Sequence, residues 1–190
     1  MRAARGGGEA QRMTGDDLAA WLASVFPGMQ LSLIDARAAA TAELDGSNVA
    51  VTAGFSGTDL GLVLADDDAT KVVCEVMAVG DVEKQVLAEA VVDATRELER
   101  LGVPGQPGVL LEGLLADAPG TVRHGLLREP EVFAQGTPLV REPGRITLLL
   151  ELIALTDEEF GIASEQGYPV LERRLRRRGV DVKDWCREEG

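Results

Sequence analysis

A chain of 190 residues, 45% hydrophobic and 27% charged, has the composition of a soluble folded domain with a sizeable core. Its formal charge of −13 is unevenly placed: Thr14 to Glu172 hold nine Lys/Arg against 27 Asp/Glu, a balance of −18. So acidic a body repels phosphate backbones and argues against nucleic-acid binding, and no stretch approaches the roughly 20 apolar residues of a membrane span.

Residues 1–13, MRAARGGGEAQRM, are small, glycine-rich and polar, which predicts a disordered tail before a single domain over 14–190. They have arginines but no apolar core of a secretory signal, so the cytoplasm is the expected location. Thr14-Gly15-Asp16-Asp17 then opens a helix with Leu18, Trp21, Leu22 and Val25 on one face, closed by Pro27-Gly28. Met29 to Ile34 alternates like a half-buried strand, Asp45-Gly46 marks a turn, and Asn48 to Phe55 forms another strand. A short strand through Leu62 and Leu64 reaches the acidic turn Asp66-Asp67-Asp68 and should form a hairpin with Lys71 to Val79.

Asp81 to Leu101 has the clearest helical period, with Leu87, Val91, Ala94, Leu98 and Leu101 on one stripe and Gly102 as its stop. A short helix is predicted through Val109, Leu110, Leu114 and Leu115, then a strand over Val122 to Leu127. An irregular stretch through Pro130, Gly136 and Pro138 leads to the turn Pro143-Gly144. Ile146 to Leu155, broken only by Thr147 and Glu151, reads as a central strand buried on both faces. Thr156 with Glu159 makes a capping box for the next helix, and a second helix runs to Gly179. The order of elements predicts an α+β fold: a mixed, largely antiparallel sheet flanked by helices, ending in a strand–helix–helix unit.

No constellation of residues requires catalysis, a cofactor or a metal. His124 is the single histidine, which excludes a multi-histidine metal site within one chain and leaves any triad without a clear nucleophile. Gly54-Phe55-Ser56-Gly57-Thr58 lacks the glycine a nucleophile elbow needs two places after its serine. Gly6-Gly7-Gly8 has no following Lys-Ser/Thr, so it is no phosphate loop. Cys74 and Cys186 are too few for a disulfide framework, and Cys74 sits in an apolar run as a buried small hydrophobe. Asp66, Asp67 and Asp68 point in different directions, which suits a solvated turn or a contact with a protein partner better than a cation site. The arginines from Arg173 to Arg178 spread around a helix whose Leu171 and Leu175 face inward, and read as a solvated face.

Leu148 to Phe160 (LLLELIALTDEEF), Glu165-Gln166-Gly167, Leu171 to Leu175 and Gly179-Val180-Asp181-Val182 resemble the suppressor of fused domain family. His124 to Pro130 looks like that domain's preceding strand, and the long helix before Gly102 sits where the family has one. Ile153-Ala154-Leu155 stands where aromatic and proline residues often mark the family's strand–helix junction, so no partner surface is carried over. The resemblance covers Asp81 to Trp185. It implies a mixed α/β domain that binds other proteins without established catalysis; bacterial relatives are often associated with toxin immunity. The expected function is therefore a protein-binding module with a basic partner, such as an immunity protein. A chaperone-like or structural homodimer is the alternative, and a small-molecule enzyme would need a pocket of convergent polar groups.

Overall fold

The computed structural model describes residues 12–188, so the tail predicted over 1–13 lies outside the described residues as far as residue 11. Helix α1 (Gly15–Val25) starts at a reciprocal cap. The Thr14 hydroxyl accepts from the Asp17 N–H, and the Asp17 carboxylate accepts from the Thr14 N–H at 2.8 Å. Met13 is partly buried beside this helix, and its N–H donates to Glu142 at 2.5 Å.

Three strands follow as a meander: β1 (Gln30–Ile34), β2 (Arg37–Leu44) and β3 (Ser47–Thr52). Strand β2 has no counterpart among the predicted elements. Its sequence, RAAATAEL, is rich in alanine, which favours helices and is sparse in strands. It is a strand because Ala39 and Ala40, both 0% exposed, are small enough to lie in opposite apolar clusters, one under each layer of helices. Both flanking turns use two left-handed residues, as two-residue hairpins require: Asp45-Gly46 at φ 51° and 82°, and Asp35-Ala36 at 46° and 66°. Alanine pays a steric penalty there that glycine does not. Ala36→Gly is expected to raise the unfolding free energy by about 1 kcal/mol in urea titration. A loss would show that the Ala36 methyl packs more usefully than its backbone is strained.

Strands β4 (Val63–Leu64) and β5 (Asp67–Gly80) form the predicted hairpin. Helix α2 (Lys84–Leu101) follows, ending at Gly102 in the left-handed conformation. Its stripe buries Leu87, Val91, Ala94 and Leu98, but Leu101 is 47% exposed and lies outside the core. The helix predicted through Val109 to Leu115 is replaced by a short strand, β6 (Leu110–Leu111), and turns. Leu110 and Leu111 pair with Leu126 and Gly125 of β7 (His124–Arg128), and the sheet edge claims the apolar pair. The irregular stretch holds an unforeseen strand, β8 (Leu139–Glu142), which pairs with the start of β9 (Arg145–Leu155). Helices α3 (Asp157–Gln166) and α4 (Tyr168–Arg178) close the series.

Among the described residues these strands form one sheet in the order β1-β2-β3-β5-β9-β7-β6, with β4 on β5 and β8 on β9. Only β5 and β9 run parallel, and every other pairing is antiparallel. The architecture is α+β, as the order of elements predicts. Strand β9 is buried on both faces. Leu150, Leu152 and Ala154 meet the cluster under α2; Leu149 meets α1, while Ile153 and Leu155 meet α3 and α4. After α4 the chain returns to the α2 cluster, where Trp185 is 2% exposed. Gly120, at φ 92°, permits this, because a Cβ there would stand 2.1 Å from the Trp185 carbonyl.

Candidate interaction surface

Polar chemistry gathers where β3 ends and β5 passes it. Glu75 of β5, 0% exposed, receives the Thr52 hydroxyl at 2.5 Å and the N–H groups of Gly54, Phe55 and Ser56 at 3.1, 3.1 and 2.9 Å. The Thr52 hydroxyl in turn accepts from the Val76 N–H at 2.9 Å. Burial pushes the Glu75 carboxyl above its ordinary range, against the pull of its donors from Ser56, Thr52 and Gly54. The Arg145 guanidinium donates to the Ser56 carbonyl. Gly54 to Thr58, which fails the spacing of a nucleophile elbow, is thus a 3-10 turn clamped on a buried carboxylate, with Ser56 only 4% exposed.

Beside this turn lies a cleft of about 230 Å³, lined by Arg37, Thr52, Phe55, Thr58, Thr95 and Glu99 among others. Arg37 grips both Glu99 oxygens at 2.9 and 2.6 Å, and the hydrogen bonding holds the Glu99 carboxyl below its usual range. Guanidinium and carboxylate therefore satisfy each other, and Glu75 is not part of the lining.

The β4–β5 hairpin carries Asp66, Asp67 and Asp68, all exposed. The turn itself is Ala65-Asp66, and Asp67 and Asp68 already belong to β5. Asp67 accepts from the Ala69 N–H at 3.1 Å and the Thr70 hydroxyl at 2.5 Å, where the pairing with β4 shifts register. The Asp66 and Asp68 side chains make no hydrogen bond or ion pair among the described residues. Lys71 meets Asp59 at 2.5 Å, which lowers the Asp59 carboxyl. Among the described residues, no three His, Cys, Asp or Glu converge to hold a metal.

The other residues singled out from sequence fall elsewhere. His124 is held by the Gly113 N–H at 2.9 Å and by Asp157 at 2.8 Å, and stacks on Phe160 at 4.1 Å. Its Nδ1 accepts, so Nε2 carries the proton toward Asp157. The α4 arginines reach neighbouring acids: Arg176 meets Glu131 and Glu172, and Arg178 lies 3.7 Å from Glu158. Cys74 is buried, which raises its thiol well above the usual range, and Cys186 is exposed.

Two buried ion pairs were not anticipated. Arg128 donates to Glu151 at 2.9 Å with side chains 8% and 3% exposed. Arg187 holds Glu159 at 2.6 Å and also donates to the carbonyls of Ala154 and Asp184. The first continues outward: Arg128 lies 3.4 Å from Glu131, which Arg176 also meets at 2.8 Å, and Arg176 reaches Glu172 at 3.0 Å. Tyr168 donates to Glu172, and its hydroxyl is pushed up to about 12 by burial and by that carboxylate. For the buried Glu75 and Glu151 the signal is a lone Glu inside an apolar run, VVCEVMAV and LLLELIAL; Glu159, in the capping box after Thr156, has no such signal.

No family model and no curated protein matches the chain. Solved structures do. A protein described as a SUFU (suppressor of fused protein) homolog from Neisseria gonorrhoeae aligns over 92% of this chain and 95% of its own, with a TM-score of 0.63 at 15% identity. A chain of the Sufu–Fu complex aligns over 95% of this chain and 93% of its own, with a TM-score of 0.64 at 13% identity. The fold is suppressor-of-fused-like. The suppressor-of-fused-like fold thus extends beyond Asp81 to Trp185, where the sequence carries the resemblance, into the β1–β5 half. No helix among the described residues is long and apolar enough to cross a membrane.

Proposed function

We propose that this chain is a non-catalytic protein-binding module, and specifically an immunity protein that covers the basic face of a toxin. The observation that carries the reading is its likeness to a chain of the Sufu–Fu complex over nearly its whole length. The −18 balance from Thr14 to Glu172 supports a basic partner, since opposed fields speed encounter and fix orientation. The hairpin of Asp66, Asp67 and Asp68 is the proposed contact, because the Asp66 and Asp68 side chains are exposed and engage no other side chain or backbone group among the described residues. Co-expression with a toxin encoded beside it should restore growth of the producing cell. The variant Asp66→Lys/Asp68→Lys should weaken that protection while leaving the melting temperature within about 2 °C. Full protection by the variant would remove the hairpin from the interface, and no protection by the unaltered chain would end the immunity reading.

A further inference from the structure

The outer edge of the sheet at β1 is unpaired. Its single neighbour is β2, and nothing else among the described residues hydrogen-bonds to it there. The two-residue turn Asp35-Ala36 closes on Ile34 and Arg37, which makes them a hydrogen-bonded pair. Pairing alternates along an antiparallel ladder, so Gln30, Ser32 and Ile34 direct their N–H and C=O groups to β2. Leu31 and Leu33 direct theirs outward. These same two residues are the large apolar side chains left 56% and 72% exposed. Natural edge strands are usually blunted by charge, proline or a covering segment, and an open apolar one is a template for another strand.

The two faces of this edge differ in chemistry. Leu31 and Leu33 share the face of Ala40, on the α1 side. On the α2 side, a groove of about 370 Å³ runs beside Leu33 and Ile34 and is lined by Asp35, Gln85, Glu89 and Asp93. Arg96 engages Asp35 and Asp93, and Gln85 engages Glu89, so three carboxylates face one guanidinium.

We propose that β1 receives an extended segment of a partner protein as an added strand, with apolar and basic residues alternating along it. Its backbone pairs with the outward groups of Leu31 and Leu33. Its apolar side chains pack on those leucines, and its Lys/Arg side chains, on the opposite face, meet Glu89, Asp93 and Asp35. A second copy of this chain fits worse. Edge-to-edge pairing would bring the two acidic grooves together, across a strand of only five residues. The inference extends the protein-binding reading to a second surface and does not depend on the Asp66–Asp68 hairpin.

The test uses the full chain and a fluorescent heptapeptide of alternating Lys and Val, followed by anisotropy. Saturable binding is expected, falling about tenfold or more when the peptide amides are N-methylated along one edge, which keeps the charge and removes the ladder. Leu33→Pro should produce a similar loss without unfolding, because proline is tolerated where the N–H points off the edge. Glu89→Lys/Asp93→Lys should transfer preference to a Glu/Val peptide, and Asp66→Lys/Asp68→Lys should change nothing. Undiminished binding of the methylated peptide would overturn the proposal in favour of plain charge attraction. So would a dimer in sedimentation that Leu33→Pro abolishes. Loss only with the hairpin variant would likewise overturn it, while leaving the hairpin reading standing.

Discussion

Arg128→Met is expected to cost about 3–5 kcal/mol of unfolding free energy, the largest effect of any single substitution considered. The change leaves the Glu151 carboxylate, whose side chain is 3% exposed, between the cluster under α1 and the cluster under α3 and α4 without its guanidinium. An uncompensated charge in such a place is far costlier than the pair itself is favourable. The double variant Arg128→Met/Glu151→Leu should therefore recover most of the loss, since it removes both charges and fills the space with apolar volume. Urea unfolding of the two single variants and the double variant closes the cycle. Truncating the outer member separates burial from charge: Arg176, 67% exposed, should cost under about 1 kcal/mol as Ala. Equal costs for Arg128 and Arg176 would mean that water reaches the inner pair.

Glu75→Gln should cost about 2–4 kcal/mol, although it keeps the size of the side chain. All four groups that reach this carboxylate are donors: the Thr52 hydroxyl and the N–H groups of Gly54, Phe55 and Ser56. An amide turns one acceptor oxygen into a donor, so at least one pair of donors must face each other in a buried place. The damage should be local before it is global. Amide exchange at Gly54, Phe55 and Ser56 should accelerate about tenfold or more, while exchange in α2 follows only the drop in overall stability. Uniform acceleration across the chain would show that the clamp belongs to the global fold and not to the turn.

Much of this scaffold is legible from local pattern. The period of Leu87, Val91, Ala94 and Leu98, the cap at Thr156 and the doubly buried run of β9 each carry a local signal that the fold obeys. Strand β2 is not legible, because alanine is chosen there for tight packing between two helical layers, which no local window reveals. Its first turn hides for a related reason: Asp45-Gly46 announces left-handed backbone, whereas Ala36 adopts it without the residue that advertises it. Strands β6 and β8 are short and depend on partners at Leu126 and Leu148, so their signal lies elsewhere in the chain. The same holds for the candidate surfaces. Asp66 to Asp68 stand out as a run of like charge, but the edge at Leu31 and Leu33 appears only once the strand order leaves β1 without an outer neighbour.

The parallel pairing at the middle of the sheet has a kinetic consequence. Lys71 must find Arg145, and Met77 must find Glu151, across a separation of 74 residues in each case. The meander of β1, β2, β3 and β5 with α2 needs only nearby partners and can assemble early. The search for β9 then sets the slow step, since ladders between distant segments pay loop closure before they gain any contact. Until β9 arrives, the half-built sheet is open at both ends, with Val73, Val76 and Met77 bare along one of them. Refolding at rising protein concentration should therefore lose yield to intermolecular strand pairing in that interval, before the centre of the sheet is closed.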